Sequence, residues 1–176
     1  AFLQGLPPDQ RNDRHPVLRD ALEALESEIL DPATGTPSRR MPEPDPSRAM
    51  AGLFKVISGY LAAGRDVPHA ANAIDSTLAL QHEDGEWGYR RNMCIVWDSL
   101  WVLRELDLQL RGGHRHEDIV AAGRRTADML LKDYRKPDGA FAFHGEHCQS
   151  VHHSIRLCDE PLPISDMLGT TMCLKC

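Results

Sequence analysis

Apolar residues recur along this chain at helical spacing in six stretches, and no stretch alternates as a β-strand would. The first runs from about Pro16 to Leu30, with Leu18, Ala21, Leu22, Leu25 and Ile29 on one stripe and Glu23, Glu26 and Glu28 off it. The second, about Ser47 to Ala63, carries a wider apolar face (Met50, Leu53, Phe54, Ile57, Leu61) and reaches a natural stop at Gly64. A third, about Val67 to Gln81, relies on Ala71, Ile74 and Leu78. The fourth, Met93 to Leu106, opens with a run to Leu103 that is apolar nearly all the way round, interrupted only by Asp98 and Ser99. The fifth, His116 to Lys132, is one-sided again, and the sixth begins near Ser165 with another apolar run.

One-sided helices therefore alternate with more fully apolar ones. A helix that is apolar all round belongs in an interior, whereas a one-sided helix shows its polar face to water. The pattern predicts an all-α protein of αα-hairpins in two layers, the inner helices covered by the outer ones. It is read as a single domain spanning residues 1–176. The segment 31–47, rich in Pro and polar residues, reads as a flexible connector within it.

The hairpins share a turn. Gln81-His82-Glu83-Asp84-Gly85-Glu86-Trp87-Gly88 follows the third helix, Lys136-Pro137-Asp138-Gly139-Ala140-Phe141 follows the fifth, and a weaker version, Asp31-Pro32-Ala33-Thr34-Gly35-Thr36, follows the first. The three glycines are 50 and 54 positions apart. Asp bonds nearby backbone amides and Gly accepts positive φ, so each unit reads as helix, tight turn, helix, with the aromatic after the glycine sealing the bend.

The spacing Gln81-x3-Gly85-x-Trp87 resembles the end of the QW repeat of squalene and hopene cyclases, and the segment resembles the α/α toroid shared by terpenoid cyclases and protein prenyltransferase β-subunits. The text Asn92-Met93-Cys94-x2-Trp97-Asp98-x-Leu100-Trp101-Val102-Leu103, the Pro-Asp-Gly-x-Phe turn, Gln149-Ser150, and Ser165-Asp166-Met167-Leu168-Gly169-Thr170 are similar to a largely uncharacterised bacterial branch of that superfamily. The resemblance covers roughly residues 45–176. It implies part of a toroid with a central-cavity site for a small or apolar substrate. Departures accompany it: the cyclase DxDD motif and the zinc-binding Asp-x-Cys of prenyltransferases are absent, and Leu168 stands where the branch often has His or Asn. Closed rings of this kind use more hairpins than the three counted here. The sixth helix reaches Cys176 without a cap, so the expectation is a piece of a longer chain, or a layer completed by a homo-oligomer.

Composition narrows the partners. Twenty Lys+Arg against 26 Asp+Glu give a charge of −6, which argues against a nucleic-acid surface. No apolar run has the length of a membrane span. Five cysteines without a secretion-type leader point to free thiols in a reducing, cytoplasmic setting. No phosphate loop, nucleophile elbow or dinucleotide fingerprint is present, and no cofactor is expected.

Candidate chemistry falls in two places. Asp98 is an acid inside an apolar helix; it is either a cavity carboxylate with a shifted pKa serving as acid or base, or a structural acid bonded to backbone amides or to Arg90 or Arg91. On the same helix Trp97 either packs in the core or faces a cavity. The second place is the His/Cys-rich stretch Phe143–His153. There His147, Gln149 and His152 are candidate substrate contacts, and Cys148, Cys158, Cys173 and Cys176 are soft ligands whose spacing matches no standard zinc module, so no metal is assigned. Asp166 is read as a second catalytic acid or as the N-cap of the sixth helix, whose N-terminus could favour an anion near Thr170 and the loop 147–153, and Asn92, just ahead of the fourth helix, as a substrate contact or a similar cap. The function expected is cyclase- or transferase-like; a carbohydrate-active enzyme on an α/α barrel and a non-catalytic helical scaffold are the alternatives.

Overall fold

The computed structural model describes residues 16–43, 45–89, 91–152 (main chain only at 152) and 154–175. It is mostly helical, as the periodicity predicts. Helix α1 covers Pro16–Ala24, α2 Pro46–Ala63, α3 Ala70–Leu78, α4 Met93–Leu110, α5 His116–Met129 and α6 Met167–Cys173. Among the described residues no helix is long and apolar enough to cross a membrane.

The starts of α2, α4 and α6 share one device. Asp45, Asn92 and Asp166 sit in extended backbone and accept from the amides of Arg48, Ile95 and Gly169 at 3.0, 3.2 and 2.7 Å. Each satisfies a donor that the first turn leaves orphaned. Gly64 ends α2 in left-handed backbone, φ 67°, where a side chain would be strained.

Both α1 and α5 finish in a single π turn, Leu25–Ile29 and Leu130–Tyr134. The closing bonds, Leu30 N–H to Leu25 O at 2.8 Å and Arg135 N–H to Leu130 O at 3.1 Å, span one residue more than an α turn. The glycine turns follow. Each closes a small antiparallel bridge: Asp31 with Thr36, Gln81 with Trp87, Arg135 with Phe141. In each an Asp carboxylate (Asp31, Asp84, Asp138) accepts the amide two residues on, at 3.0 to 3.1 Å.

The first two turns also grip the helix that follows the next one. At turn one, Asn72 and Ser76 of α3 donate to Pro32 O and Thr34 O at 2.7 and 2.8 Å. At turn two, the Gln81 amide donates to Ala122 O (2.9 Å) and Thr126 Oγ1 (3.0 Å) of α5, and the Trp87 indole N–H to Thr126 Oγ1 at 2.9 Å. Trp87 is thus the turn seal expected of it, fully buried, and also a clamp on the next hairpin. Turn three has an open flank: among the described residues, its chain neighbours aside, no atom stands within 4 Å of where a Cβ on Gly139 would lie.

α2, α4 and α6 form a row in which α4 touches both neighbours; α3 and α5 pack on α4, and α1 on α2. Leu53, Ile57, Tyr60, Ile74, Met93, Leu103 and Leu106 fill the centre.

Three sequence expectations need revision. The stretch read as a flexible connector opens with turn one, where Thr36 is buried and Gly35 is pressed onto α3. Proline and polar content signalled a loop but not the hydroxyl bonds that order it, Thr34 to Thr36 at 2.9 Å and Thr36 to Ser38 at 3.1 Å. The second revision is a two-stranded hairpin, β1 (Val151–His152) with β2 (Ile155–Arg156), inside the His/Cys-rich loop. Strands of two residues are too short to show alternation. The third concerns α4: Met93, Val96, Val102, Leu103 and Leu106 are buried, but Cys94, Trp97, Asp98, Leu100 and Trp101 are only half-buried.

Candidate functional site

The half-buried side of α4 lines a concave surface. Trp97 and Trp101, one helical turn apart, lie nearly parallel with ring centroids 6.5 Å apart. Phe54 of α2 meets both edge-on, at 5.0 and 4.8 Å, which fixes the indoles in the geometry that aromatic quadrupoles favour. Beside them a groove of about 510 Å³ runs between α4 and α5. Trp97, Leu100, Trp101, Ile119, Val120 and Ala127 form its apolar surface, and Arg104, Arg124 and Lys175 stand around it. No Asp or Glu lines it among the described residues. A smaller cavity of about 230 Å³, reaching Phe141 and Cys173, shares Leu100, Gly123 and Ala127 with the groove.

Asp98 is next to this surface. Burial dominates its surroundings, Lys55 of α2 opposes that effect, and the carboxyl is pushed up to about 6. Among the described residues no hydrogen-bond donor reaches its side chain. Arg91, one of the two expected structural partners, pairs instead with Asp84 at 2.8 Å; Arg90 lies outside the described residues. Desolvation, with the Asp98 charge adding to it, also raises the thiol of Cys94 on the same side of α4.

The second set of candidates assembles at the turn end, six residues and about 9 Å of helix away from Asp98. Asp166 uses both carboxylate oxygens on backbone: Oδ1 takes the Gly169 amide, and Oδ2 takes the amides of Phe143 and Gln149 at 2.8 and 3.0 Å. It is a knot tying α6 to the His/Cys-rich loop. Thr170 fastens turn three, its hydroxyl accepting from Phe141 N–H at 3.0 Å and donating to Phe141 O at 3.1 Å. Asn92 is taken up by its capping bond. Gln149 donates its side-chain amide to Val151 O, while its carbonyl oxygen is buried with no hydrogen-bond partner among the described residues. His147 bonds Cys148 O at 2.9 Å and leans on His144, with ring centroids 4.6 Å apart. The His152 side chain, His153 and Cys176 lie outside the described residues. Among those described, no three His, Cys, Asp or Glu side chains gather as a metal ion would need.

The candidates thus divide. Trp97 and Asp98 belong to an open face; Asn92, His147, Gln149, Asp166 and Thr170 belong to a hydrogen-bonded junction whose polar atoms are largely spent on backbone. Sequence reasoning did not single out Phe54, Lys55, Arg104, Arg124 or Lys175. Arg104 sits three residues after Trp101, a spacing that places it on the same face, but Arg124 and Lys175 reach the groove only through tertiary packing. It also passed over Glu86, a buried acid that accepts the Tyr134 hydroxyl at 3.0 and 3.2 Å. Desolvation lifts its pKa.

Comparison with protein-family models, with curated proteins and with solved structures gives no match to this chain.

Proposed function

We propose that this chain binds a small apolar molecule bearing an anionic group in the groove between α4 and α5, and that Asp98 exchanges a proton at the margin of that site. The supporting observation is the groove itself: an aromatic wall left half-open and surrounded by Arg104, Arg124 and Lys175. Apolar pockets with a few placed polar groups are the usual form of small-molecule sites. A carboxyl with a pKa of about 6 is mostly ionised at neutral pH yet gains and loses its proton within about a unit of it, which suits general acid–base work. A carbohydrate-active site is less well supported, because it needs two carboxyls flanking the bond to be cleaved and the groove lining holds none.

In the same proposal the three hairpins are part of a larger two-layer helical ring of the terpenoid-cyclase and prenyltransferase type. The repeated caps and turns support this reading, as does the open flank of turn three, where turns one and two instead bury their glycines against a further helix. Additional repeats or a second copy of the chain would close the ring.

The test uses 8-anilinonaphthalene-1-sulfonate, an apolar anion, excited through tryptophan. Saturable binding with energy transfer is expected. Arg124→Gln should weaken it about fivefold, corresponding to about 1 kcal/mol for a partly exposed ion pair, and Trp101→Ala should reduce it further. A neutral analogue, N-phenyl-1-naphthylamine, should be indifferent to Arg124→Gln. Anion binding unchanged in both variants would defeat the proposal.

A further inference from the structure

We infer that Cys148 and Cys158 form a reversible disulfide that closes the base of the β1–β2 hairpin. Their sulfurs are in contact at 3.9 Å. Backbone holds both residues: Cys148 N–H donates to Leu162 O at 2.9 Å, and Leu157, just before Cys158, donates its N–H to Ser150 O at 2.8 Å. Gln149, between them in the chain, is tied to Asp166. The hairpin therefore brings the two cysteines together and keeps them there without the bond. Closing from contact to the roughly 2.05 Å of a disulfide calls for side-chain rotation and small shifts of the loop.

The two thiols differ in a useful way. Cys148 is buried and Cys158 is partly exposed, so a small oxidant meets Cys158 first. The thiolate of Cys158 attacks a low-molecular-weight disulfide such as oxidised glutathione, forming a mixed disulfide and releasing one glutathione thiolate. The thiolate of Cys148 then attacks the Cys158 sulfur; the protein disulfide forms and the second glutathione leaves. Two thiol protons pass to solvent and two electrons reduce the oxidant. Cys94 on α4 and Cys173 on α6 have no sulfur partner among the described residues and serve as internal controls. Oxidation would close a covalent ring around a hairpin that exposes Val151 and Ile155, next to the junction organised by Asp166.

The experiment equilibrates the whole chain with oxidised or reduced glutathione, blocks free thiols and measures mass before and after trypsin. In the oxidised sample two thiols should resist blocking, with the loss of two hydrogens. Cutting after Arg156 should leave the Cys148 peptide joined to the 157–175 peptide until reduction, and because that peptide also carries Cys173, the link should persist in Cys173→Ser. Cys148→Ser should stall at the mixed disulfide on Cys158, and Cys94→Ser should change nothing. Full blocking of Cys148 and Cys158 in the oxidising buffer would overturn the inference, as would a bond from either to another cysteine.

Discussion

Replacing Gly85 by Ala tests the idea that the turns are clamps and not mere bends. Gly85 has φ +91°, and a Cβ there would stand 2.6 Å from Arg125 O and 3.0 Å from the Met129 Cβ of α5. Ordinary carbon–oxygen contacts are about 3.3 Å or longer, so α5 must retreat by more than half an ångström or the turn must open. Positive φ costs an L-residue about 1–2 kcal/mol, and forced overpacking adds about 1–3 kcal/mol. The expected loss for Gly85→Ala is therefore about 2–5 kcal/mol. Gly139→Ala is the matched control: its φ is +86°, and no atom lies within 4 Å of the added methyl. Only the backbone strain applies there, about 1–2 kcal/mol. The gain from a stiffer unfolded chain is common to both and cancels. Urea unfolding followed by far-ultraviolet circular dichroism should separate the two variants by about 1–3 kcal/mol. In a chain this size that corresponds to several degrees in Tm. Equal losses would show that turn two does not press on α5.

Two further variants probe the acid and the clamp. Because burial raises Asp98 to about 6 from 3.8, the folded protein holds that proton more tightly than the unfolded chain, so stability falls as pH rises from about 4 to about 6 and then levels. Asp98→Asn should abolish that fall and be more stable than the parent near neutral pH by about 1–2 kcal/mol, allowing for solvent on its open side; parallel pH profiles of the urea midpoint would count against a desolvated carboxyl. Thr126→Val removes the oxygen that takes the Trp87 indole N–H, leaving that buried donor unmet at about 1–3 kcal/mol, while the Gln81 amide keeps Ala122 O. Thr126→Ser should restore most of that in urea melts, and failure of the serine to do so would assign the loss to packing.

Much of the helical layout was legible because apolar spacing and caps are local. Asp45, Asn92, Asp166, Gly64 and the three turn glycines mark element ends through interactions completed within a few residues. The π turns were hidden because one added residue at Leu25–Ile29 or Leu130–Tyr134 barely disturbs the stripe. The open face of α4 was hidden for another reason. The run from Met93 to Leu106 reports that the helix is apolar, while what covers each side depends on where α5 and α6 lie. Trp97 and Trp101 were accordingly read as core or cavity without a means to choose. Asp166 carried a catalytic and a capping reading, Asn92 a binding and a capping one, and only the bond directions reveal how fully their oxygens are used.

The grip of the first two turns, each on the hairpin after it, gives the molecule a polarity. Gln81 and Trp87 reach forward to α5, and Pro32 and Thr34 reach forward to α3. Stability in such an array accrues between nearest neighbours, as in solenoids. The middle hairpin, held from both directions, should be the last to exchange its amide hydrogens.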